Sequence, residues 1–96
     1  MKTLAQHLDE MEWLIAEAKA GADHVSSVAS IRAHMIAIGT HVRPGNPAAM
    51  AQAEWSMSQA VTAYANAFSL DNGDLGAATM ESSFIRYRAA VEGRDA

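Results

Sequence analysis

Apolar side chains recur along this chain at spacings of three and four residues, the interval that gathers side chains onto one face of an α-helix. Leu4, Leu8, Met11, Ile15 and Ala18, widened by Leu14, form the first such stripe and predict a helix from about Leu4 to Lys19. Thr3 stands before it as an N-cap, and Gln6 completes a reciprocal capping box. Gly21 and Asp23 then interrupt the pattern. A second segment runs from Asp23 or His24 to Thr40, with Val28, Ile31, Met35, Ile38 and Val42 on its main stripe and Val25, Ala29 and Ile36 on a second face. Two apolar faces predict a central helix, or one shared with another subunit.

The stretch HVRPGNPAAM, residues 41–50, stops this helix and starts the next. Pro44 lacks an N–H and restrains the residue before it, while Gly45 supplies permissive torsions. Asn46-Pro47 then reads as an N-cap followed by the favoured first helical residue. The third segment, Pro47 to about Leu70, repeats Met50, Met57, Val61, Tyr64 and Phe68 on one face. Within LDNGDLG, residues 70–76, Asn72-Gly73 makes a turn and Asp74 is expected to cap a fourth helix from about Leu75 to Glu92, with Ala77, Met80, Phe84, Tyr87 and Val91 on its stripe. The expected fold is all-α: a compact antiparallel helical bundle of four helices, or two long bent helices completed by dimerisation.

Composition narrows this picture. Ninety-six residues suit one domain, so residues 1–96 are read as a single all-α interaction or regulatory domain. The absence of cysteine excludes disulfides, thiolate metal sites and cysteine nucleophiles. The opening MKTLAQHLDEMEW reaches acidic residues before any apolar run, and no run approaches the roughly 20 residues that span a membrane. A cytoplasmic protein without membrane insertion is the expectation. Seven basic and eleven acidic residues give a net charge of −4 and no basic footprint, so direct nucleic acid binding is not expected.

Motifs for catalysis are missing. RPGNP is not a phosphate-binding loop, no GxSxG elbow surrounds any serine, and DNGDLGAATMES places Gly73, Leu75 and Ser82 where a calcium loop needs oxygen ligands. The chain is therefore expected not to be an enzyme and to need no cofactor. Four histidines, His7, His24, His34 and His41, raise the question of a metal. His34 and His41 share a helix face but lie about 10.5 Å apart along it, too far to clasp one ion unless other helices converge, with Glu54 or Asp23 as further ligands, or symmetry-related chains contribute. No metal site is expected from the pattern alone. A histidine-based metal or small-ligand sensor remains the alternative.

Trp13 and Trp55 both fall off the apolar stripes of their helices, Trp13 among Asp9, Glu10 and Glu17. A tryptophan placed this way either packs internally or anchors a partner. The main functional expectation is a small non-enzymatic helical protein that binds a protein partner and inhibits, adapts or regulates it, as a homodimer or in a hetero-complex. Its protein-binding candidates are Trp13 and Trp55 as anchors, with Glu10, Glu17 and Arg86 as orienting charges. The length and central turn also resemble the WXG100 class, which implies a secreted helical-hairpin partner protein as another alternative. Here Trp55-Ser56-Met57 replaces the W-x-G signature, and Tyr87 to Glu92 is one residue too long for the YxxxD/E signal of that class.

Overall fold

In the computed structural model the described residues are 2–41, 47–67 and 73–93. They form four helices: α1 (Leu4–Lys19), α2 (His24–His41), α3 (Pro47–Ala67) and α4 (Gly73–Val91). Each end that is described has a local chemical cause. Thr3 and Gln6 make the expected capping box, with the Thr3 side chain accepting from the Gln6 N–H and the Gln6 side chain accepting from the Thr3 N–H. At the far end of α1, Gly21 adopts φ 99°, and the Ala22 N–H donates to the Glu17 carbonyl while Gly21 donates to Ala18. That is the Schellman arrangement, which needs a left-handed residue where Gly21 stands. Asp23 then caps α2 by accepting from the Ser26 N–H at 2.9 Å.

The helices run up, down, up and down around one core. His7 of α1 meets His34 of α2, Asp9 and Glu12 of α1 meet Arg88 near the end of α4, and Gly76 of α4 meets Tyr64 and Ala67 near the end of α3. Each neighbouring pair is therefore antiparallel. The interior contains Leu8, Met11, Ile15 and Ala18 from α1, Val28, Ile31 and Ile38 from α2, Met50, Met57, Val61 and Tyr64 from α3, and Ala77, Met80, Phe84, Tyr87 and Val91 from α4. These are the stripes read from the spacing, with Leu4, Leu14 and Met35 packed at the margin. Val42, Phe68 and the turn residues 42–46 and 70–72 lie outside the described residues.

The start of α4 differs from the expectation. The helix begins at Gly73, two residues before Leu75, so Asp74 lies inside its first turn and is not the cap. Gly76 is helical, as expected of a helix from about Leu75. A Cβ at Gly76 would stand 3.0 Å from the Tyr64 Cα and 3.1 Å from the Ala67 Cβ, so the missing side chain lets α4 lie close against α3. Ala53 and Ala60 are also buried on α3, and this is the most extensively packed pair in the bundle. By contrast α2 and α3 touch least of the four neighbouring pairs.

The two helical glycines therefore respond oppositely to alanine. Nothing lies within 4 Å of a Cβ built on Gly39, so Gly39→Ala gains helix propensity and stabilises by about 0.5 kcal/mol. Gly76→Ala gains the same propensity but drives a methyl into the α3 backbone, an overpacking cost of about 1–3 kcal/mol that leaves the variant less stable. Urea unfolding followed by circular dichroism should move the two midpoints in opposite directions.

Candidate functional site

Charge is divided unequally over the surface. Helix α1 carries Asp9, Glu10, Glu12, Glu17 and Lys19, and α4 carries Asp74, Glu81, Arg86 and Arg88. Helices α2 and α3 carry one formal charge each, Arg32 and Glu54. The ion pairs follow this division. Arg88 reaches Asp9 at 2.8 Å and Glu12 at 2.9 Å, and Lys19 reaches Glu81 at 3.0 Å, so the α1/α4 flank is laced by charge. On the α2/α3 flank Arg32 donates to the Thr62 hydroxyl and meets no carboxylate among the described residues.

Apolar side chains face outward on this second flank too, as Leu75 and Ile85 do on α4. Val25 is 64% exposed and Ile36 72% exposed, both on the second apolar face of α2. Between the helices lies a shallow groove of about 350 Å³ lined by His24, Val25, Val28, Ala29, Arg32 and Ala65. On α3 the positions 55, 58, 62 and 65 follow the three and four residue spacing of one helix face, so Trp55 shares its stripe with the Thr62 and Ala65 that look toward α2. Trp55 is 62% exposed.

The proposed anchors do not form one patch. Trp13 is 60% exposed and stands opposite the buried stripe of α1. Because α1 and α3 lie across the diagonal of the bundle, Trp13 and Trp55 project from different corners. Neither packs in the interior. Arg86 is exposed and Glu17 half-buried, whereas Glu10 is engaged by its own chain: it accepts from Lys2 Nζ at 2.8 Å and its Oε2 lies 3.2 Å from His34 Nε2.

Glu10 thus belongs to a second constellation, on the α1/α2 seam. His7 and Glu10 share one flank of α1, and His34 faces them from α2. The Nδ1 atoms of His7 and His34 are 2.9 Å apart, and a ring nitrogen of each with a Glu10 oxygen all fall within 4.8 Å of one another. The His41 ring lies beside His7, with centroids 6.0 Å apart. At 2.9 Å one Nδ1 must donate and the other accept. The Glu10 oxygen near His34 Nε2 favours the proton there, which leaves His34 Nδ1 as acceptor and His7 Nδ1–H as donor.

Electrostatics disfavour the charged form of the His34 ring. Burial lowers the His34 pKa, and His7 and Lys2 lower it further, together outweighing the opposite pull of Glu10. The Lys2 contact holds the Glu10 carboxyl below its ordinary value. The sequence pattern paired His34 with His41 along one helix and looked to Glu54 or Asp23 for help; the structure recruits His7 and Glu10 instead. The available signal was the spacing H-x-x-E on α1, one helical turn, on the flank next to the stripe.

No protein-family model, curated protein or solved structure matches the chain, so the chemistry of its surfaces carries the functional reading.

The depressed His34 pKa has a defined consequence for stability. An unfolded imidazole binds a proton near pH 6.5, more readily than His34 does in the fold, so the contribution of neutral His34 is complete above that pH and is lost as pH falls through the lower folded value. In a histidine-resolved NMR titration His34 should titrate below about 6.5. The stability advantage of the native chain over His34→Gln should shrink as pH falls from about 7 to 5.

Proposed function

We propose that this chain is a non-enzymatic helical interaction module whose working surface is the α2/α3 face, and that the occupant of that face is a second copy of the same chain. The observation that carries this reading is the coincidence of three features on one flank: little charge, the loosest helix pair, and Val25, Ile36 and Trp55 directed outward. A helix with a second apolar face beside its core stripe normally buries both. Within one chain α2 packs fully only toward α1 and the core.

Charge selects the partner. The face carries one Arg32 and one Glu54, so two copies related by a twofold axis would meet with no excess of either sign. A strongly acidic or basic partner would instead leave its charges opposite an apolar surface, where they lose water without compensation. Trp55 supplies the large amphipathic ring that typically anchors such a contact, and Ile36 lies about one helical turn from its level because Arg32 and Thr62 set the register of the antiparallel pair. Trp13, on the opposite corner, takes no part.

Sedimentation equilibrium and light scattering test the proposal. The native chain should be a dimer at tens of micromolar, and Ile36→Glu and Trp55→Glu should each yield a helical monomer, since a charge placed in the centre of the interface costs several kcal/mol, on the order of a hundredfold or more in dissociation constant. Trp13→Glu should remain dimeric. A monomeric native chain at about 100 μM, where a weak dimer would still be populated, or a dimer indifferent to both α2/α3 substitutions, would overturn this assignment.

A further inference from the structure

On the α1/α2 seam, His7, Glu10 and His34 form a donor set that neither the fold nor the interaction reading requires. We infer that it is a site for a borderline divalent transition ion, of which zinc is the probe of choice. Two imidazoles and one carboxylate, from two helices, are the ligand types that such ions take, and hard cations do not favour imidazole.

The distances fit the assignment. Two nitrogens bound at about 2.0–2.1 Å in a tetrahedral site stand about 3.3–3.4 Å apart, so the rings, whose Nδ1 atoms are 2.9 Å apart, need to separate by about half an ångström. His7 must also carry its proton on Nε2, after which both Nδ1 lone pairs look into the same gap. Glu10 brings a carboxylate oxygen within 4.8 Å of a nitrogen of each ring, so a small movement of its side chain completes a three-ligand set.

The surroundings are consistent with binding and set its character. All three residues are half-buried, so the ion is partly shielded while water keeps access to its remaining positions. Lys2 is the competing charge, but it is held only through an exposed contact to Glu10 and can swing into solvent. The bound ion would tie the first turns of α1 to the last turns of α2. Because His7 and His34 belong to one chain, the site does not rest on dimerisation.

Zinc chloride titrated into chelator-treated protein tests the inference. Calorimetry should give one ion per chain, and excess zinc should raise the melting temperature by about 5 °C or more, whereas calcium should have no effect. His7→Gln and His34→Gln should each weaken zinc binding by at least about tenfold, and Glu10→Gln by about tenfold, while His24→Gln, at the far end of α2, should bind as the native chain does. In the native chain the imidazole NMR signals of His7 and His34 should be the first that zinc perturbs, a readout that does not depend on any variant folding. Binding in Ile36→Glu should be unchanged. An absence of zinc-dependent stabilisation, equal stabilisation by calcium, or equal loss in His24→Gln and His7→Gln would overturn the site.

Discussion

The close approach of α3 and α4 is the constraint from which the rest of the bundle follows. Gly76 removes the one Cβ that would strike the α3 backbone, and the buried alanines at 53, 60 and 77 keep the two helices near each other along their length. With that pair drawn together, α4 offers its other flank to α1, where Arg88 and Glu81 bind α1 by charge. Helix α2 is held by its apolar stripe and its seam with α1. Few contacts close it onto α3, and the shallow groove and the exposed Val25 and Ile36 lie on that side.

Helix α2 consequently works in two directions. One flank presents His34 and His41 toward α1, and the other presents Val25, Ala29 and Ile36 toward α3 and solvent. Its interior stripe of Val28, Ile31 and Ile38 separates the two. The chain has thereby placed its polar convergence and its apolar surface on the same element, about half a turn apart, while α1 and α4 carry the charge that keeps the remaining surface solvated.

Much of this architecture was legible in the chain because helical burial is periodic. Met11, Ile31, Met57 and Met80 recur with their neighbours at three and four residue spacing, and each is fully buried. Thr3, Gln6 and Gly21 announced the ends of α1 through chemistry that acts over a few residues. The second face of α2 was equally readable, although whether it met another helix or solvent depends on how far α3 stands away, which no local pattern encodes. Gly76 fell near the start of the expected fourth helix, but its close approach to α3 was not legible because glycine marks turns and close approaches alike. The His7–Glu10–His34 cluster depends on the relative rotation and height of two helices, quantities set by packing. A search along one helix therefore found His34 and His41 and passed over the partner across the seam.

Arg88 has an effect on that seam although it never touches it. By gripping Asp9 and Glu12 from one flank, the guanidinium fixes the roll of α1 about its own axis, as a hand on one side of a rod prevents it from turning. His7 and Glu10 occupy the other flank of the same rod, so their aim toward His34 is the far end of a torque balance whose near end is an arginine on α4. Slackening that grip would leave every donor present and let the rod that carries two of them turn.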